Sequence, residues 1–204
     1  MTLSDSHALL QRYIPTSLLP EERDQLLRDL RSFPANSNLF YCAQTENPLQ
    51  GDGWRGFSFH KYHNGEKRDG VAGIILSNSC DIDPENLRDV ESWVLFAPLI
   101  SFSRYIERIE ASGSKNESQI DDVKNSIRTQ QITNLFYLPF VEGAEDETIA
   151  VLDRVAAEPL SAFWKNDHKS RLFSLSQNGI YLFLAKLGLH LMRIESDIRR
   201  APAY

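Results

Sequence analysis

Residues 68–101 read RDGVAGIILSNSCDIDPENLRDVESWVLFAPLIS, two apolar, β-branched runs joined by a polar connection. The runs VAGIIL (71–76) and WVLFAPLI (93–100) are short and carry Gly or Pro, which marks strands buried on both faces rather than helices. Between them Ser77, Asn78, Ser79, Cys80 and Asp81 are dense in side chains that bond their own backbone, as a tight exit from a strand requires. Arg68 and residues 77–81 on one side and Ser101 on the other are expected to share one rim. That rim is where a site is sought first.

Upstream, residues 54–62 (WRGFSFHKY) alternate as a strand does, and Asn64-Gly65 predicts a tight hairpin into the 71–76 run. The flanks of this hairpin carry Arg55, Lys61, Lys67 and Arg68 against Glu66, a local positive excess. Residues 39–43 (LFYCA) read as a strand and 45–53 as a loop. Residues 1–36 read as a helical arm. Ser4 or Ser6 caps its first helix, Pro20, Glu21 and Glu22 open the second, and Leu19, Leu26, Leu27, Leu30 and Phe33 form its apolar stripe.

Downstream, residues 102–133 turn to helical spacing. Tyr105, Ile106 and Ile109 precede a break at SGSKNES (112–118), and Ile120, Val123 and Ile127 resume the pattern. With five basic and five acidic residues between Arg104 and Arg128, this is expected to be a helical insertion with a mobile tip. Residues 135–141 (LFYLPFV) and 149–155 (IAVLDRV) read as further strands, flanking an acidic loop, and 158–168 as irregular or a helical turn. A last helix is expected over 176–199, with a seam of Ile180, Phe183, Leu184, Leu187, Leu191, Ile194 and Ile198. Leu182, Leu189 and Met192 lie off that seam, which predicts a sandwiched helix or a homodimer interface. Residues 37–204 are thus expected to form one domain behind the arm.

The 42% apolar and 25% charged fractions are those of a soluble globular chain, and no apolar run reaches the ~18 residues of a membrane span. Two cysteines make no disulfide framework, and MTLSDSHALL lacks the order of a secretory signal, so a cytoplasmic setting is expected. The net charge of −6 argues against a whole-surface nucleic-acid binder but leaves room for a local basic patch.

The strand order, together with Gln50-Gly51-Asp52, Phe57, Phe59, Gly65, Arg68, Ile74-Ile75-Leu76-Ser77 and Ala97-Pro98-Leu99-Ile100-Ser101, resembles the MazF/PemK-like toxins of toxin–antitoxin systems. Residues 149–155 are similar to that family's late strand. The resemblance implies a mainly-β α+β fold: a small SH3-like β-barrel with the helical arm, insertion and C-terminal helix added. It implies metal-independent cleavage of single-stranded RNA, an antitoxin partner and a two-fold dimer. Arg68 and Ser101 then become the catalytic pair, a guanidinium for the phosphorane and a hydroxyl for proton transfer. Asp69 stands where the family usually has proline.

Arg55, Lys61, Lys67, Ser77 and Asn78 are the RNA-contacting candidates, with Trp54, Phe57, Phe59 and Tyr62 as possible base-stacking groups. Each has a plainer reading. Arg68 also reads as a solvated hairpin charge, Ser101 as a strand-end cap, and Phe57 and Phe59 as core. Cys80 with His60 or His63 suggests a thiol and its base, but a cysteine ending a buried strand is more often a small core hydrophobe. Asp81, Asp83 and Glu85 lack the ligand count of a calcium loop, and Asp83-Pro84 reads as a helix cap. No metal or cofactor is expected. The alternative to the ribonuclease is a catalytically silent barrel serving as a protein-interaction or regulatory module.

Overall fold

Alternation along β3 (Trp93–Ser101) sets the architecture, because its two faces meet different layers. Ala97 and Leu99 enter one apolar cluster with Ile74, Phe136, Ala150 and Phe183. Val94 and Phe96, on the other face, enter a second with Trp54, Phe57, Ile75, Ile82 and Phe163. Further along that face, Ile100 packs into a third with Ile106, Ile127, Tyr137 and Ile149.

The computed structural model describes residues 40–43, 47–61, 65–86, 89–140 and 146–191, and also Glu21, Asp24 and Arg28. β1 (Gly53–Lys61), β2 (Glu66–Ile75) and β3 form consecutive antiparallel pairs, with α1 (Ser79–Ile82) between the last two. Then come α2 (Phe102–Ala111), α3 (Glu117–Arg128), β4 (Leu135–Leu138), β5 (Thr148–Val151), β6 (Ala156–Pro159), α4 (Leu160–Lys165), β7 (Ser170–Phe173) and α5 (Gln177–Leu191). Among the described residues these strands make a seven-stranded sheet in the order β4-β5-β3-β2-β1-β7, with β6 paired to β3. The fold is mixed α/β around an antiparallel sheet.

The sheet is not closed, so the expected barrel is not confirmed. One edge of β3 is divided between β5, which pairs with 99–101, and β6, which pairs with 93–96. β1 meets β6 through a side chain, the Ser58 N–H donating to Glu158 Oε2 at 2.8 Å. That contact is not a ladder.

β4 and β5 are covered on both faces. Leu135, Tyr137, Ile149 and Val151 face α2 and α3, while Phe136, Leu138 and Ala150 lie in the cluster that α5 joins through Phe183. This is why LFYL shows no polar alternation. The β1–β2 hairpin differs. Its inner half stacks Phe57 on Phe96, centroids 4.1 Å apart. Gly73 makes room, since a Cβ there would lie 2.6 Å from Phe96. Its register shifts on either side of Phe57 follow Gly56, whose φ of +120° and whose Cβ position 2.9 Å from Lys169 Cα exclude a larger residue. Its outer residues Lys67, Arg68, Asp69 and Gly70 are exposed.

Several elements differ from expectation. Of the strand expected over 39–43, the described residues 40–43 supply only an isolated bridge, Tyr41 to Leu175. The strand expected over 149–155 ends at Val151, and after a turn the chain re-pairs with β3 as β6. β7 was not anticipated. The insertion breaks as expected, with Asn116 and Gln119 forming a capping box at α3. Leu182, expected off the seam of α5, packs against the same core as Phe183. Most of the N-terminal arm, and residues beyond 191, lie outside the described residues; Glu21, Asp24 and Arg28 are helical and exposed.

Candidate functional site

Ser101 stands where β3 turns into α2, its backbone extended at φ −61°, ψ 134°. Its Oγ accepts from the Arg104 N–H at 3.2 Å, a helix N-cap. The same hydroxyl donates to Asp146 Oδ2 at 2.6 Å, and the Ser103 hydroxyl and N–H donate to that oxygen at 2.6 and 3.0 Å. Partial burial pushes the Asp146 carboxyl up, but the bonds from Ser101 and Ser103 outweigh it and hold it below the usual carboxylate range.

Glu147 extends the cluster inward. Its backbone carbonyl accepts from Phe102 N–H at 2.9 Å. Its carboxylate takes Arg128 in a fork, at 2.6 Å from Nη2 and 3.3 Å from Nε, and also accepts the Tyr137 hydroxyl. Arg128 lies over the Phe102 ring, 4.8 Å from its centroid. Burial and then the Glu147 carboxylate hold the Tyr137 hydroxyl well above its ordinary range.

Behind this stands Gln130, at φ +60° a left-handed non-glycine residue. Its side-chain amide copies a neighbouring strand: Nε2 donates to Tyr137 O at 2.7 Å and Oε1 accepts from Tyr137 N–H at 3.1 Å. The open edge of β4 is thereby occupied. Gln130 O in turn accepts from Nζ of Lys186 on α5. Lys186 is 4% exposed, and burial pushes its ammonium down to about 8.

Chemically, this cluster is a cross-link between the sheet, α2–α3 and α5. The Asp146 carboxylate holds both serine hydroxyls, and the guanidinium of Arg128 is spent on Glu147. Gln130, Lys186 and the Arg128–Glu147 pair escaped the sequence reading because helical spacing says nothing about partners from another layer.

Arg68 lies on β2 opposite Phe59 and is exposed. The β2–β3 ladder ends at Gly73–Pro98, with Arg68 before and Ser101 after that pair, at the same end of the sheet. The hydroxyl of Ser101 is turned to Asp146. Lys67 pairs with Asp69 at 2.8 Å, and Asp69 also accepts from Ser58 Oγ at 2.6 Å. Arg55 is exposed on β1, and the side chains of Lys61, His60 and His63 and all of Tyr62 lie outside the described residues. Ser77 is buried, its Oγ accepting from Leu95 N–H at 2.8 Å, and Asn78 caps α1 through Cys80 N–H at 3.0 Å.

Trp54 and Phe57 point inward, and Trp54 is covered by Arg171 of β7, 4.6 Å from the ring. Arg171 also meets buried Asp52 at 3.3 Å, a second polar lock the sequence did not suggest. Cys80, expected in the core, is exposed; Ile82 fills the buried position of α1. Asp83 Oδ1 accepts from Glu85 N–H at 2.9 Å, a cap-like bond within a turn rather than at a helix start. Among the described residues no three His, Cys, Asp or Glu side chains gather as a metal site, and no helix is long and apolar enough to cross a membrane.

In comparisons with known proteins, no family model, no curated protein and no solved structure matches this chain.

Proposed function

We propose that this protein is a catalytically silent interaction module built on a MazF/PemK-like strand order, binding a protein partner rather than cutting RNA. The observation that carries this reading is the Asp146 carboxylate seated on the hydroxyls of both Ser101 and Ser103 at 2.6 Å. A phosphate brought to Ser101 would meet a fixed negative charge and a hydroxyl whose proton is already committed. The Lys67–Asp69 pair weakens the hairpin's claim as a phosphate surface in the same way. In this reading the sheet is a barrel whose β1–β6 seam relies on the Glu158 side chain. Cys42 and Cys80, both free and exposed, accord with a cytoplasmic setting, and the homodimer of the MazF/PemK-like pattern belongs to the proposal.

The test is incubation with mixed-sequence single-stranded RNA in the presence of a chelator, with binding measured separately at low salt. Intact RNA and no retention are expected. Cleavage that disappears in Arg68→Ala would restore the ribonuclease, and retention lost in Arg55→Glu/Lys67→Glu would restore an RNA-binding surface.

A further inference from the structure

The face of β3 that is buried at Ala97 and Leu99 continues into solvent. Trp93 is 53% and Leu95 42% exposed, although they lie on the same side of the same strand. The register of β6 sets Pro159 beside Trp93 and Ala157 beside Leu95, and Val155, 40% exposed, precedes them. This is a continuous apolar surface across two strands, not a scatter of single residues. Nor does it come from a loosened strand end. Leu95 N–H donates to Ser77 Oγ at 2.8 Å, Leu95 O accepts from Leu76 N–H at 2.8 Å, and Leu160 N–H donates to Ser92 O at 2.8 Å.

The segment that leads into β3 is acidic. Residues 81–91 carry Asp81, Asp83, Glu85, Asp89 and Glu91 against Arg88 alone, and Val90 among them is 78% exposed. Glu91 is fixed beside the face by the hydroxyl of Ser161, at the start of α4. At the far end Asp153 and Arg154 offset each other. An aromatic and a leucine on a rigid strand are anchor points for a partner, and a carboxylate rim selects its charge.

Resting on the interaction-module reading, we infer that the Trp93–Leu95–Ala157–Val155 face docks a segment of another protein that alternates apolar and basic side chains. The apolar residues cover Trp93 and Leu95, and lysine or arginine meets the 81–91 carboxylates. A nucleic acid is repelled by that rim, and a second copy brings its own net charge of −6 to the contact.

The probe is a synthetic peptide alternating lysine and leucine, with a glutamate–leucine peptide as control, titrated calorimetrically and by acrylamide quenching of tryptophan emission. The lysine peptide is expected to bind in a salt-sensitive way and shield Trp93, while the glutamate peptide does not bind. Trp93→Ser/Leu95→Ser is expected to weaken binding at least about ten-fold. Glu85→Lys/Asp89→Lys, two exposed changes that leave the core alone, should weaken it as well. Wild-type binding by either double variant, or no binding at low salt, overturns the proposal. So does a wild-type dimer in light scattering that becomes monomeric in Trp93→Ser/Leu95→Ser, since a second copy then occupies the face. RNA cleavage would sink the interaction-module reading itself, whereas inert RNA with a silent peptide titration sinks only this docking face.

Discussion

The β4–β5 wing and the β1–β2 hairpin are antiparallel pairs in one sheet, yet they treat polar side chains in opposite ways. In the wing, both faces are covered, and polar groups described at its rim are drawn into protein partners: Tyr137 to Glu147, Glu147 to Arg128, Gln130 to the edge of β4. In the outer hairpin, Lys67 and Arg68 are exposed, and the Lys67 ammonium meets Asp69 at the surface. A hydroxyl at the wing is held in a structural bond, whereas a cation on the hairpin makes its contacts at the exposed surface, where solvent weakens them. Arg68 and Ser101, similar in their sequence setting as strand-end residues, fall on the two sides of this divide.

The largest test of the contrast removes one side chain from each region. Phe136 is fully buried, its ring 5.1 Å from that of Phe183, so Phe136→Ala should cost about 3–5 kcal/mol in urea unfolding. Arg68→Ala on the exposed hairpin should stay within about 0.5 kcal/mol. Comparable losses for both would mean the hairpin is as tightly built as the wing.

A second test sharpens the contrast through pH. Lys186 has no counterpart in the outer hairpin: its ammonium is buried on α5, and that burial lowers it to about 8. The unfolded chain keeps its proton to ~10.4, so between these values the unfolded state binds more protons and stability rises with pH. The rise should be on the order of 3 kcal/mol at most, read as a climb in urea midpoint from pH ~8 upward. Above pH ~10 it should reverse, because Tyr41 and Tyr137, both held above their ordinary range chiefly by burial, stay protonated when the unfolded chain does not. In Lys186→Met the climb should vanish; a climb that persists would assign it to another group.

What was legible in the chain follows the same division. The 71–76 and 93–100 runs could be read because local pattern alone decides them, and β2 and β3 are there; β1 and β2 pair as far as Lys61–Glu66, while Asn64 of the expected turn lies outside the described residues. The break before α3 was legible at 112–118, but the capping box of Asn116 and Gln119 was not read there. The pairing of 156–159 with β3 could not be read, because AAEP has neither alternation nor β-branched residues and is a strand only by virtue of its neighbour. Ser101 was legible as a strand end, and its cap reading was already available. Its bond to Asp146, 45 residues on, depends on how the loop after β4 returns, which no spacing rule reports.

The smallest effect concerns that bond, and it separates a structural serine from a catalytic one. Ser101→Ala removes an N-cap and one of the hydroxyls on Asp146, and should cost about 1 kcal/mol at neutral pH. Asp146 is held below the carboxylate range, so its share of that stabilisation is present above the ordinary value of ~3.9 and lost as pH falls through its lower folded value. The gap between wild type and Ser101→Ala should therefore narrow in acid, while the gap for Lys67→Ala, on an exposed pair, should be small throughout. Ser101→Thr keeps a capping hydroxyl and should recover most of the loss. If Ser101→Ala unfolds at the wild-type midpoint at every pH, the Asp146 contact contributes nothing to the fold, and the hydroxyl is free for the chemistry that the resemblance assigns to it.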